Sequence, residues 1–316
     1  MFPLLLALGC SPPATPRPVQ PEVPTETLRA EGRVILVTID GVRWQEATDP
    51  ALMPSLSDWA VFGNHRLNSR VATSSLKPLS MPGYHALMSG HTAPCTDNTC
   101  DRIAIETLPE SLIRRLDLPQ RAVAVFASWG AIPMAAASQT PASFILDTNV
   151  PTGNTEDVPP WPHARFDAET SQRAVTYFER YTPRFLWISF LDSDEHAHRD
   201  QHDEYLTAIQ QYDRFLTTLQ QTIAALGLTE TTTIILTTDH GRGRGPFWTS
   251  HGHLPGARQM FLAATGPWVG LSGPISGGLT LHQADVRPTI ERLLGLTPTP
   301  CEATGCGAPI PELTPR

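Results

Sequence analysis

Positive charge is scarce in this 316-residue sequence: 23 Lys and Arg stand against 31 Asp and Glu, giving a formal charge of −8 and a pI of about 5.7. A broad basic surface for nucleic acid or anionic lipid is thereby excluded, and any anion must be caught by a local site, for which metal ions can supply the positive charge. No internal repeat is present, and no apolar run is long enough to cross a bilayer. Cysteine is limited to five residues, none in the two-residue spacing of a zinc ribbon. Cys95 with Cys100 and Cys301 with Cys306 lie among Thr, Asp, Gly and Pro, so two small disulfide loops closed in an oxidising compartment are expected, free cytosolic thiols being the alternative. The length suits one large α/β domain with insertions, or two modest ones.

The first eight residues are apolar and are followed at once by Gly9-Cys10. They read as a clipped export signal over 1–10, and Ala7-Leu8-Gly9-Cys10 resembles the cleavage box of bacterial lipoproteins, in which the cysteine is lipidated. Residues 11–31 carry many Pro and few apolar side chains, the composition of an extended tether, so the folded domain is expected over 32–316. The expected location is periplasmic or at the cell surface, with a membrane tether through Cys10.

Continuous apolar runs at 34–39, 122–126, 185–190, 232–237 and 260–264 predict strands buried on both faces. Helical patterns lie between them, at 108–116, at 167–181 with Asp167 as N-cap, at 203–226 with Gly227 as its stop, and at 283–294. Strands alternating with helices imply an α/β fold with a mainly parallel sheet covered on both faces, whose ligands sit at the strand carboxyl ends. Residues 131–165 interrupt this rhythm with six prolines and are expected to form an insertion or lid.

Six of the eleven histidines fall between positions 196 and 253, interleaved with Asp194 and Asp239. Asp40 directly follows the first strand and Asp239-His240 follows the run at 232–237, so these three meet at one sheet edge, a metal pocket in outline. Asp194 and His198 are four apart and share one face of a helical turn, and His251 completes a second set. His196, His202 and His253 stay outside both sets. Ser80 precedes Pro82, which suits the first turn of a helix, so Ser80 is placed at the helix N-terminus, where the dipole favours an alkoxide and a bound phosphate. Each residue has a plainer role available, Asp40 and Ser80 as helix caps; the combination carries the argument.

Taken in order, Thr38-Ile39-Asp40-Gly41, Ser80 before Pro82, Asp194 with His198, Thr238-Asp239-His240-Gly241 and His251-Gly252 resemble the alkaline phosphatase superfamily, above all its type I phosphodiesterase/nucleotide pyrophosphatase branch, over Val34 to about Leu296. The resemblance implies two divalent ions, zinc with manganese as the alternative: one on Asp40, Ser80, Asp239 and His240, the other on Asp194, His198 and His251. It implies hydrolysis of a phosphoric ester, with Ser80 as nucleophile and a phosphoserine intermediate. Arg43, Arg242, Arg244 and Gly83 are candidate substrate contacts. The chain departs from the family at Ser80-Met81-Pro82-Gly83, where pyrophosphatases carry Thr-Phe-Pro-Asn, so the nucleotide preference is open. Tyr84 stands where a sulfatase needs Arg. A sulfatase-like or phosphonate hydrolase of the same fold, and a non-catalytic metal-binding surface lipoprotein, remain as alternatives.

Overall fold

A computed structural model describes residues 25–92, 94–148, 159–161 and 163–314. The signal at 1–10, Cys10 and the first part of the tether lie outside the described residues. Helix α1 (Thr25–Glu31) leads into strand β1 (Arg33–Ile39), followed by the one-turn helix α2 (Trp44–Ala47). Strands β2 (Ala60–Phe62) and β3 (Arg70–Ala72) precede helices α3 (Ser80–Ser89) and α4 (Leu108–Leu116). Next come β4 (Val123–Ala127), the short helix α5 (Pro133–Ala136), β5 (Ile145–Asp147), α6 (Asp167–Tyr181) and β6 (Phe185–Phe190). Helices α7 (Asp192–His198) and α8 (His202–Ala225) lead to β7 (Thr232–Thr237). The chain closes with β8 (Gln259–Met260), β9 (Leu262–Thr265), β10 (Gly273–Pro274), β11 (Thr280–His282) and helix α9 (Val286–Leu293).

Eight strands form one sheet in the order β10-β2-β9-β7-β1-β6-β4-β5, and β11-β3-β8 form a small second sheet. β1 lies between β7 and β6 and runs parallel to both, and β4 and β5 continue in the same sense. β9 is antiparallel to both β7 and β2, so the sheet is mostly parallel with one reversed strand. Alternate residues of β1 serve opposite layers, as the period of two requires. Val34 and Leu36 pack with Leu87 of α3 and Ile290 of α9, whereas Ile35, Val37 and Ile39 pack with Phe178 of α6 and Ile209 and Leu216 of α8. Each such side chain buried in full is worth roughly 1.5–3 kcal/mol, which is why apolar runs without polar interruption settle in the middle of the sheet. Because β1, β6 and β7 are parallel neighbours, the turns after them gather at one edge.

Several sequence boundaries shift. The tether ends earlier than residue 31, because 25–31 fold into α1, whose Leu28 is buried and whose carbonyls at Leu28 and Ala30 accept from the Arg184 guanidinium at 3.0 Å each. The run at 260–264 is not one strand: Phe261 separates β8, in the small sheet, from β9, in the large one. The insertion at 131–165 is more than a lid, since β5 extends the sheet beside β4 and Ala164 bridges Trp129, while 149–158 and 162 lie outside the described residues. The helix at 283–294 begins as a 3-10 turn over Gln283–Asp285.

Asp167 has a different task from the one its position suggests. Phe166 is the N-cap of α6, and the Asp167 carboxylate faces the next helix instead. It accepts the amides of Leu191 and Asp192 at 2.8 Å each, together with the hydroxyls of Tyr212 at 2.7 Å and Ser128. Leu191, the N-cap of α7, offers no side-chain cap, so Asp167 satisfies the amides of Leu191 and Asp192 from a distant part of the sequence and fixes the helix that carries Asp194 and His198. Both expected disulfides are formed, with Cα separations of 5.6 Å for Cys95–Cys100 and 6.0 Å for Cys301–Cys306. Among the described residues, no helix is long and apolar enough to cross a membrane.

Candidate active site

The turns after β1, β6 and β7 and the head of α3 bring Asp40, Ser80, Asp194, His198, Asp239, His240 and His251 into one cluster. Donor atoms of Asp40, Asp239 and His240 all lie within 4.8 Å of one another, as do those of Asp194, His240 and His251. His240 Nε2 is 3.5 Å from Asp40 Oδ1, 3.4 Å from Asp239 Oδ2 and 3.3 Å from Ser80 Oγ. His198 Nε2 is 3.0 Å from Asp194 Oδ2 and 3.1 Å from His251 Nε2. The two sets adjoin through the His240 and His251 rings, which stack with centroids 3.9 Å apart. The sequence grouped His251 with Asp194 and His198, and this stack lets His240 face both groups.

Several of the candidate ligand side chains are oriented by fixed partners. The Nδ1 of His240 is 2.9 Å from the Gly241 carbonyl and that of His251 is 3.0 Å from the Pro78 carbonyl. A carbonyl can only accept, so Nδ1 carries the proton in both rings and Nε2 presents a lone pair to the cluster. Burial, opposed in part by Asp194, pushes His240 down to about 4, and burial with the neighbouring His240 pushes His251 down to about 3. Both rings are therefore neutral at neutral pH, with a lone pair available to a cation. Asp239 Oδ1 accepts from the amide of Gly41 at 3.1 Å, and Tyr84 donates its hydroxyl to Asp40 Oδ2 at 2.9 Å. The other oxygens, Asp40 Oδ1 and Asp239 Oδ2, are buried with no partner.

These orphaned oxygens, beside the lone pair of a buried imidazole, are the donor set a divalent cation with mixed oxygen and nitrogen preference takes up. The residues thus fit the metals the family resemblance implies. Charge agrees: three buried carboxylates face one buried guanidinium, that of Arg242. Burial first, then Asp239 and Asp194, raises Asp40 well above the usual carboxylate range; burial and Asp194 push Asp239 up to about 6. Burial also works against the Asp194 carboxylate, yet Arg242 and His198 hold it well below that range. A bound dication would relieve the repulsion among the three.

Ser80 is the first residue of α3, behind the N-cap Leu79, and is 5 % exposed. Few helix donors remain free for substrate there: Met81 N donates to Asn98 Oδ1 at 3.0 Å, Pro82 has no N–H, and Gly83 N donates to the Leu79 carbonyl at 2.9 Å. Gly83 is consequently not an open substrate donor. A Cβ placed on it would lie 2.5 Å from the Asp239 carbonyl oxygen, so its missing side chain lets α3 pack directly on the Asp239 turn. Gly41 plays a parallel part, with φ +63° and a Cβ position that would collide with Asp194 and Arg242.

The three arginines divide. Arg242 is buried, paired with Asp194, and donates to the carbonyls of Trp248 at 2.9 Å and Thr249 at 2.7 Å, so it positions a ligand rather than offering a free fork to substrate. Truncating Arg242 to Ala should cost roughly 3–5 kcal/mol in the chelator-treated protein, because the buried Asp194 carboxylate loses the guanidinium paired with it. Urea denaturation measures this, and a loss below about 1 kcal/mol would show that Asp194 does not depend on the pair. Arg43 is held by Glu46, and Arg244 is exposed with its Nη2 2.6 Å from Gln259 Oε1. His196, His202 and His253 stand outside the cluster: His196 bonds Gln201, His202 packs on Trp248 and His253 is exposed.

Tyr84 and Asp167 were missed as site-building residues. Tyr84 is fully buried one helical turn after Ser80, and Ser189 donates to its hydroxyl at 3.3 Å. Burial, Asp239 and Asp40 raise its pKa well above the usual phenol value, which keeps it a donor to Asp40. The four-residue spacing from Ser80 was the available signal.

Known proteins resemble this chain in part of its sequence and in its fold. The model of the type I phosphodiesterase / nucleotide pyrophosphatase family matches residues 116–253, a stretch holding Asp194, His198, Asp239, His240 and His251. No curated protein matches significantly. Among solved structures, the phosphonate monoester hydrolase of Agrobacterium radiobacter is similar at a TM-score of 0.59 and 15% identity, covering 89% of this chain and 77% of its own. A 2-O GAG sulfatase is similar at a TM-score of 0.62 and 12% identity, with 86% and 72% covered. An alkaline phosphatase superfamily protein from Vibrio parahaemolyticus gives 0.57 and 12%, with 92% and 72% covered. On an α/β fold shared with the alkaline phosphatase superfamily, this chain carries the type I phosphodiesterase/nucleotide pyrophosphatase sequence pattern across the residues that supply most of its cluster.

Proposed function

We propose that the chain is a metal-dependent hydrolase of phosphoric esters in which Ser80 is the nucleophile. One observation carries this: Ser80 Oγ lies 3.3 Å from His240 Nε2, at the head of α3 and beside the unpartnered oxygens of Asp40 and Asp239. A serine that only capped the helix would have its oxygen on an amide of the first turn, whereas here the Met81 amide goes to Asn98 Oδ1, Pro82 has no N–H and the Gly83 amide goes to the Leu79 carbonyl. Two divalent ions, zinc being best suited to the mixed donors, would supply Lewis acidity to the attacking oxygen and the phosphoryl group.

The residues of the chain do the rest. Ser80 Oγ gives its proton to solvent and forms the bond to phosphorus as the ester oxygen leaves with the electron pair of its P–O bond and takes up a proton; water then attacks phosphorus, one of its protons goes to Ser80 Oγ as that oxygen leaves, and phosphate departs from the restored hydroxyl. Tyr84 and Gly41 hold Asp40 and Asp239, and Asp167 and Arg242 hold α7 and Asp194, so the cluster is rigid before substrate arrives. The working compartment is proposed to lie outside the reducing cytosol, in keeping with the two disulfides, with lipidated Cys10 as tether.

Rates on an aryl phosphate, an aryl phosphodiester, an aryl phosphonate and an aryl sulfate, measured with zinc- and manganese-loaded protein, test this. The phosphodiester or the phosphomonoester should be turned over fastest. A faster rate on sulfate or phosphonate would move the assignment to those neighbours of the fold, and no turnover of any ester would leave a metal-binding protein.

A further inference from the structure

The turn after β1, the segment before β3 and the turn after β7 together line a cleft of about 490 Å³ that the proposed chemistry does not use. Its walls include Arg43, Trp44, His65, Arg66 and Arg244. Glu46 answers Arg43, but among the described residues neither Arg66 nor Arg244 has a carboxylate partner, and both are exposed. The Arg66 guanidinium stands 6.0 Å from the Trp44 ring centroid. Gln259 Oε1 accepts from Arg244 Nη2 at 2.6 Å and from Trp44 Nε1 at 3.3 Å, tying the arginine to the indole. The His65 ring lies 5.2 Å from that of Trp44, and its Nε2 is buried without a partner. Burial, together with Arg70 and Arg244, holds the His65 imidazole below its usual range, as a positive local potential requires.

In a chain of net charge −8, unanswered guanidinium groups gathered on one cleft repel each other unless an anion joins them. Arginine forks approaching from two segments suit a tetrahedral oxyanion. The cleft also shares its loops with the cluster: Arg43 is three residues beyond Asp40 and Arg244 four beyond His240. We propose that this cleft binds a second phosphate group carried by the substrate away from the ester that is cut, making the substrate class a bis-anionic phosphoric ester. This rests on Ser80 acting as an esterase nucleophile.

The test compares the wild type with an Arg66→Glu/Arg244→Glu double variant on two substrates. One is bis(p-nitrophenyl) phosphate; the other is a p-nitrophenyl phosphodiester whose second arm ends in a phosphate. The ratio of kcat/KM for the tailed over the untailed ester should fall at least about tenfold in the double variant, mainly through KM, because two charge-assisted contacts become repulsive. The Arg66→Lys/Arg244→Lys variant should recover part of the preference, and unchanged melting temperatures exclude misfolding. An unchanged ratio, or equal losses on both esters, overturns the proposal. If the wild type hydrolyses neither diester, turnover of an aryl phosphomonoester separates a monoester preference from failure of the esterase reading, and calorimetric titration with tripolyphosphate judges the cleft by itself. Saturable binding that the double Glu variant loses supports an anion site; equal binding in both proteins, or none in the wild type, overturns it.

Discussion

Ser80→Ala should remove nearly all turnover, by roughly 10³-fold or more, while metal content and melting temperature stay close to wild type. The contrast with a helix cap decides the matter. Loss of a cap costs ~1 kcal/mol of stability and leaves the surviving folded enzyme active. The first-turn amides of Met81 and Gly83 are taken by Asn98 and the Leu79 carbonyl while Ser80 Oγ faces His240, and six other candidate ligand residues stay in place when its hydroxyl is removed. Ser80→Thr should keep part of the activity, since the hydroxyl survives and a threonine stands at this position in the pyrophosphatase relatives. Single-turnover assays with a chromogenic ester, alongside metal analysis, measure both variants. More than about a tenth of wild-type rate in Ser80→Ala would replace the covalent route by direct attack of water.

Chelation should abolish activity and also lower the melting temperature, a readout that does not depend on knowing the substrate. An ion at a hundredfold excess over its Kd stabilises the folded state by ~2.7 kcal/mol, or roughly 4–5 °C for a domain of this size. Protons compete with cations at the carboxylates, Asp239 lying at about 6 and Asp40 raised well above the usual carboxylate range by burial and by Asp239 and Asp194. The ion-dependent increment should therefore be smaller at pH 5 than at pH 7.5, on either side of the Asp239 value. His240 and His251, at about 4 and 3, are already unprotonated across that window and do not limit it. In the ion-free protein the two effects oppose each other. The raised Asp239 pKa makes stability fall as pH rises through 6, because the folded form holds that proton more tightly than the unfolded chain. The depressed histidines make stability rise from about pH 4 toward their unfolded value. Differential scanning fluorimetry with and without zinc at both pH values reads the increment directly, and an equal increment at pH 5 and 7.5 would mean that Asp40 and Asp239 are not the ligands that bind.

What the sequence made legible was whatever sits at a fixed offset from a strand or helix. Asp40 ends β1, Asp239-His240 follows β7, Asp194 and His198 share one face of α7, and Ser80 opens α3. In a parallel sheet these offsets suffice to bring residues to one edge, because neighbouring strands end together. The mostly parallel architecture and the strand runs at 185–190 and 232–237 followed from apolar periodicity alone.

Tertiary structure decided everything that depends on which groups meet across the chain. Asp167 looks like the cap of its own helix, yet its carboxylate faces α7, since unsatisfied amides there offer more than a helix start that already has backbone geometry in its favour. Arg242 beside His240 looks like a phosphate fork, but full burial against Asp194 makes it a positioning group. Gly83 looks like a variant of a substrate contact and turns out to be a packing gap, and Tyr84, read only as the wrong residue for a sulfatase, aims Asp40. A one-dimensional pattern encodes offsets along an element, whereas partner choice depends on which buried donors and charges are left unanswered once the elements have packed.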